Sequence, residues 1–112
     1  MHRPDMQPCI DACLNCSQAC YRCLDACLNE PDVDKRIGCI KLLMECARTC
    51  ETEAAIMGMN GQTAKQYSGV CASLCDQCTD ACEMFGDDHC QECAAVCRDC
   101  AEKCREMAKE LK

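Results

Sequence analysis

Cysteine recurs every three or four residues along three long stretches of this chain. Cys9, Cys13, Cys16, Cys20, Cys23 and Cys27 step by 4, 3, 4, 3, 4, and Cys71, Cys75, Cys78 and Cys82 by 4, 3, 4. Cys90, Cys93, Cys97, Cys100 and Cys104 step by 3, 4, 3, 4. These are the a and d positions of a heptad, which Leu, Ile or Val ordinarily fill on the buried seam of packed helices. At about 100° of turn per residue, the first six thiols fall within an arc of roughly 80°. Each helix therefore turns a line of sulfur toward its neighbours, and the chain reads as a helical bundle with a thiol-lined interior.

Other core material is scarce. Leu, Ile, Val and Phe together number 15 of 112 residues, against 18 cysteines, and there is no Trp. A protonated cysteine packs as a small hydrophobe, so the seam can close without metal, at modest stability. The length fits one domain, residues 1–112, with a modest core. The net charge of −7 argues against nucleic acid or an anionic membrane surface as a partner. The first residues, Met1 to Pro8, contain no apolar run of the kind that exports or anchors a chain. The expected setting is the cytoplasm, where thiols stay reduced.

Four helices are predicted, over about residues 8–29, 34–59, 63–85 and 88–110. The first stops ahead of Pro31, which disfavours helix in the residue before it, and the second at the Asn60-Gly61 turn signal. Thr63 with Gln66, and Asp88 with Gln91, have the spacing of capping boxes. Gly86 separates the last two helices. Links this short give an all-α, antiparallel up-down-up-down four-helix bundle with a cysteine-lined core. Cys20 to Cys27 and Cys75 to Cys82 echo each other 55 residues apart, as two similar helical hairpins would. The second helix is thinner in sulfur: it carries Cys39, Cys46 and Cys50, with Leu42 and Leu43 where thiols stand elsewhere. Glu53 and Met57 continue its face, and Glu53 is expected to reach out to solvent.

Disulfides fit this pattern poorly. Neighbours along one helix face stand roughly 5–6 Å apart at Cβ, beyond the 3.5–4.5 Å or so that a disulfide spans. Metal fits better, and charge helps to choose it. A ligating thiol gives up its proton, so 18 ligating cysteines carry 18 negative charges in a poorly solvated interior, which is prohibitive without compensation. One monovalent cation per thiolate cancels them all. Separate four-thiolate zinc sites would number at most four and leave about ten negative charges. Cu(I) is soft, thiolate-seeking and monovalent. Two metal–sulfur bonds of about 2.3 Å laid in line span about 4.6 Å, within reach of pairs such as Cys9 and Cys13 or Cys93 and Cys97.

The three lines, Cys9 to Cys27, Cys71 to Cys82 and Cys90 to Cys104, resemble those of the bacterial copper storage proteins, in particular the cytosolic branch. The similarity covers essentially the whole chain. It implies a four-helix bundle, usually a homotetramer, that is filled with Cu(I) held mainly by cysteine thiolates and is not an enzyme. The implied ligands are all 18 cysteines, from Cys9, Cys13, Cys16, Cys20, Cys23 and Cys27 through Cys39, Cys46, Cys50, Cys71, Cys75, Cys78 and Cys82 to Cys90, Cys93, Cys97, Cys100 and Cys104.

One end of such a bundle gathers Cys27, Cys39, Cys82, Phe85, His89 and Cys90. The other gathers Met6, Glu53, Met57, Tyr67 and Met107. In the resembled family, histidine and methionine near a bundle mouth accompany metal entry, so His89 is expected to be a ligand at the mouth. Met57 and Met107 read first as flexible core, and Met44, Met59 and Met84 as packing or surface. An apolar strip beside the first cysteine line, Ile10, Leu14, Tyr21, Leu24 and Leu28, is a candidate oligomer contact. Two other function classes remain open: a thiol redox protein, whose one Cys-x-x-Cys at a helix start is Cys90 to Cys93, and a zinc or mixed soft-metal buffer. Neither a copper donor nor an acceptor can be read from the residues.

Overall fold

A computed structural model describes residues 4–111. Four long helices carry the seam: α1 (Gln7–Leu28), α2 (Ile37–Gly58), α3 (Ala64–Glu83) and α4 (Asp88–Glu110). A single 3₁₀ turn, Val33–Lys35, precedes α2. Consecutive helices run antiparallel and the ring closes, since α1 packs against α2 and α4, and α3 against the same two. Sulfur contacts fix the direction of every helix. Cys9 of α1 meets Cys104 of α4, whereas Cys27 meets Cys90. Likewise Cys50 of α2 meets Cys71 of α3, and Cys39 meets Cys82. This is the up-down-up-down bundle expected from the short links.

Cysteine, alanine and a few larger side chains make the core. All 18 cysteines are buried free thiols. Ala47 and Ala101 are also fully enclosed, and small residues at such places let the helices approach closely. Along α2 the inward line runs Arg36, Cys39, Leu43, Cys46, Cys50, Glu53 and Met57, every one of them buried. Leu43 fills the space that a thiol holds elsewhere, while Leu42 lies at the flank. Met44, Met59 and Met84 are exposed, as positions off the cysteine lines should be.

The helix ends follow local chemistry, with two departures from expectation. At the end of α2, Asn60 adopts φ +60°, its N–H bonds Met57 O at 3.1 Å, and the Gly61 N–H bonds Ile56 O at 2.9 Å. That is a Schellman cap with Asn in the left-handed position. A Cβ on Gly61 would stand 2.9 Å from Ile56 Cγ2, so only glycine fits there. The anticipated capping boxes do not form: Thr63 makes no side-chain cap bond, and Asp88 lies inside α4 rather than before it, where Asp87 stands and makes none either. Asp87 is drawn away by Arg36, whose Nη1 lies 2.5 Å from its Oδ2, and Gln91 bonds Phe85 O instead. The start of α2 is also later than Asp34, because Val33–Lys35 winds as a 3₁₀ turn that Asp32 and Arg36 clamp through a 2.7 Å ion pair. No helix among the described residues is long and apolar enough to cross a membrane.

Candidate metal centre

The four lines of thiols converge on one axial column. From the Cys9 end it runs Cys9–Cys104 at 3.9 Å, Cys104–Cys13 at 3.7 Å, Cys13–Cys100 at 3.9 Å and Cys100–Cys50 at 4.0 Å. It continues through Cys50–Cys75 at 3.8 Å, Cys75–Cys46 at 3.7 Å, Cys75–Cys16 at 3.9 Å and Cys16–Cys97 at 3.7 Å. Cys97 then meets Cys20 at 3.8 Å and Cys93 at 3.9 Å. Two of these steps, Cys16–Cys75 and Cys50–Cys100, cross the bundle on its diagonals, so no helix backbone or large side chain divides the lumen there. Cys78 is fully buried on the α3 line.

The spacing also revises how pairs along one helix would be used. Sulfurs 3.7 to 4.0 Å apart match an ion bound trigonally through bonds of about 2.3 Å, which places its ligands about 4.0 Å from one another. An in-line bridge needs about 4.6 Å. Cys9 and Cys13, expected to bridge directly, instead share Cys104 of the facing helix. Four-ligand groups with all donor atoms within 4.8 Å include Cys13/Cys71/Cys100/Cys104, Cys16/Cys46/Cys50/Cys75, Cys16/Cys20/Cys46/Cys97 and Cys50/Cys71/Cys75/Cys100. These groups overlap: Cys16, Cys46, Cys50, Cys71, Cys75 and Cys100 each belong to more than one of them. Isolated tetrahedral zinc needs four ligands to itself; overlapping sets favour thiolates that bridge several ions.

Protonation follows from the same crowding. The Cys9 thiol is held down near 5 by sulfur hydrogen bonds from Cys104 and Cys13. Cys100 and Cys46 are likewise held below the ordinary thiol value, Cys100 by Cys104 and Cys46 by Cys16. Their neighbours are driven the other way. Cys50 is raised by Cys100, Cys20 by Cys16, and burial adds to both. One thiolate gathers S–H donors around it and obliges the next sulfurs to keep their protons. Metal entering this column must displace those protons, ion by ion.

At the Cys27 end a fifth group forms from Cys23, Cys27, Cys90 and His89. Cys90 lies 3.8 Å from both Cys23 and Cys27, and burial pushes its thiol up to about 12. His89 does stand at this mouth: its Nδ1 is 3.5 Å from Cys90 Sγ and 3.6 Å from Cys23 Sγ. Its Nε2 faces outward to Glu30 Oε1 at 3.2 Å, which orients the ring and leaves Nδ1 facing sulfur. Arg36 is here too, and the spacing rules had a signal for it. It lies three residues before Cys39, on the α2 line continued backward. Its Nη1 reaches Cys90 Sγ at 3.6 Å and Cys27 Sγ at 3.7 Å, and its guanidinium carbon sits 4.4 Å above the Phe85 ring.

The opposite end corrects two expectations. Glu53 does not reach solvent: it is 0% exposed, accepts a bond from the Ser68 hydroxyl, and has no partner for Oε1. Burial lifts its carboxyl to about 7, and the nearby Cys71, Cys9 and Cys100 add to the effect. Tyr67 lies outside, 37% exposed, and Ser68 takes the seam position. Met57 and Met107 are buried there as part of the core.

The chain is similar to known proteins over most of its length. Residues 2–109 match the family described as copper storage protein. The uncharacterized cysteine-rich protein YhjQ of Bacillus subtilis is 39% identical over 88 residues, which cover 79% of this chain and 82% of the relative. The Cu(I)-bound copper storage protein BsCsp3, from the same organism, superposes with a TM-score of 0.89 at 39% identity, over 92% of this chain and 97% of that one. A copper-loaded cytosolic copper storage protein from Streptomyces lividans gives 0.90 at 36% identity, over 96% and 94% of the two chains. With a match spanning nearly every residue and the sulfur column inside it, this chain belongs to the copper storage protein family.

Proposed function

We propose that the protein stores Cu(I) in bulk within its bundle, with the 18 cysteines as ligands and His89 as a further ligand at the mouth. The observation that carries this reading is the column of four overlapping thiol groups. A sensor needs one discrete site, and a redox enzyme one reactive pair; a column of shared ligands accommodates ions in number. Each ion displaces a thiol proton, so that filling replaces buried protons with monovalent cations and leaves no large charge inside. Ions move inward by exchange between neighbouring thiolates, without change of oxidation state. The setting is the cytosol, as for the Streptomyces relative.

Assembly as a homotetramer is part of the proposal. Leu14 and Leu28 of α1, with Ile37 and Met44 of α2, are large apolar side chains about half exposed, and covering them favours self-association. A solution mass four times that of one chain is the expected result of light scattering.

Anaerobic titration of the reduced protein with Cu(I), against a competing chelator, tests the storage reading. Uptake is expected to continue to on the order of one ion per thiolate. Saturation well below about ten ions, or tighter retention of zinc at equal free metal, would overturn it.

A further inference from the structure

An arginine that is 4% exposed is unusual, since this side chain is almost never buried without a reason. Arg36 is also badly placed for its helix. It is the N-cap of α2 and makes no side-chain cap bond, and a positive charge at a helix N-terminus opposes the macrodipole. Among the described residues it is the one buried lysine or arginine. Two carboxylates hold it, Asp32 at Nε and Asp87 at Nη1, yet these sit toward solvent, 39% and 28% exposed. The Phe85 ring covers the guanidinium. The same Nη1 reaches the sulfurs of Cys27 and Cys90, which are 3.8 Å apart. The guanidinium thus joins a solvated acidic rim to a dry pair of thiols.

We infer that Arg36 is a positioning residue for copper at the mouth: its guanidinium holds Cys27 and Cys90 as the pair that first captures Cu(I), and balances the charge of the complex they form. The inference rests on the storage reading and deepens it. When one Cu(I) binds both thiols, two S–H bonds break, two Cu–S bonds form and two protons leave to water past the part-exposed rim of His89, Glu30 and Asp87. The product, a bis-thiolate cuprous unit, carries one negative charge. Deep in the column such a charge is cancelled when further ions share the same thiolates. At the mouth the first ion arrives without neighbours, and a fixed guanidinium is the compensation available. Nη1–H to thiolate is a charge-assisted bond, stronger than its neutral counterpart. Arg36 therefore governs how quickly the first ions are taken, and leaves the final capacity unchanged.

The test is anaerobic stopped-flow uptake of Cu(I) from a weak chelator, followed by sulfur-to-copper absorption, with apo helicity checked by circular dichroism. Arg36→Gln keeps hydrogen-bonding groups but removes the charge, and is expected to slow the first phase about tenfold, the loss typical of a hydrogen bond to a charged group. Its final stoichiometry should equal that of the wild type. Arg36→Lys keeps the charge but not the fork that reaches both sulfurs, and should recover only part of the wild-type rate. In a Cys27→Ala/Cys90→Ala background, Arg36→Gln should cause no further slowing. Wild-type kinetics in Arg36→Gln, or the same slowing in that background, would overturn the inference. If Arg36→Gln fails to fold, Arg36→Lys decides alone: slowing of the same size with and without Cys27 and Cys90, in a folded protein, also overturns it. Failure of the storage reading looks different, because it appears in the wild type itself as saturation after a few ions.

Discussion

The two ends of the bundle are built from the same line of α2 and have opposite characters. At one, Arg36, Asp87, Glu30 and His89 form a charged rim around Cys23, Cys27 and Cys90, with the His89, Glu30 and Asp87 side chains 26 to 30% exposed. At the other, Glu53, Met57 and Ser68 are enclosed, each at 2% exposure or less. Charge at the first end is paired and meets water; the single carboxylate at the second is alone in the core, with Oε1 unpartnered. A polar group next to solvent can exchange protons and ligands, whereas one sealed among methionines and thiols affects stability first. On the storage reading proposed above, the first end is suited to serve as the door and the second as a plug.

Breaking the plug should cost the most. Met57→Ala removes a side chain 2% exposed, and truncations of this kind destabilise by about 2–5 kcal/mol through lost burial and the cavity left behind. Chemical denaturation of the reduced apo protein measures it. Copper uptake at the far end should keep its wild-type rate; a slower uptake would mean that metal passes the methionines and that the two ends are not divided as described.

Glu53 sharpens the same contrast through pH. Its carboxyl titrates at about 7 in the folded chain against an ordinary value of 4.5. The folded state thus binds more protons than the unfolded one between those values, and stability falls as the pH rises through that window. The full loss is on the order of 3 kcal/mol, since each tenfold change in proton affinity is worth about 1.4 kcal/mol. Glu53→Gln should flatten this part of the apo protein's stability-against-pH curve and be the more stable form above about pH 7. A curve with the wild-type slope would show that Glu53 is already ionised and hydrated in the native protein.

Periodicity carried most of this fold because cysteine marks the buried face as clearly as leucine would, and a 3-4 spacing fixes which side of each helix turns inward. The same rule, followed past the last cysteine, leads to Arg36, Glu53, Met57, Ser68 and Met107. Their chemistry makes them hard to place: Arg and Glu are seldom buried, and a pattern alone does not say when a charge at a seam position stays inside. Arg36 stays because Asp32 and Asp87 come from two loops to meet it, a contact that depends on how α1 is joined to α2 and α3 to α4. The capping boxes fail for a related reason. Helix α4 starts at Asp88, one residue too early for Asp88 to cap it, and Asp87, which does precede the helix, is taken by the buried guanidinium of Arg36. Sulfur-to-sulfur distances across the diagonals were not legible at all, since they depend on how closely Ala47 and Ala101 let the helices approach.

The smallest effect expected on stability is at the door itself. His89 is part exposed, and removing it takes away the Nε2 contact with Glu30 and little packing, so His89→Ala should change apo stability by no more than about 0.5 kcal/mol. Its effect belongs to kinetics. With Nδ1 3.5 Å from Cys90 Sγ and 3.6 Å from Cys23 Sγ, the imidazole offers an incoming Cu(I) a nitrogen ligand beside two sulfurs. Its loss should slow uptake by about tenfold, equivalent to about 1.4 kcal/mol in the barrier. Glu30→Gln, which weakens the bond orienting the ring without removing a ligand, should slow it less. Equal rates in the wild type and His89→Ala would assign the whole of capture to the thiols and their arginine, and leave the histidine as part of the rim alone.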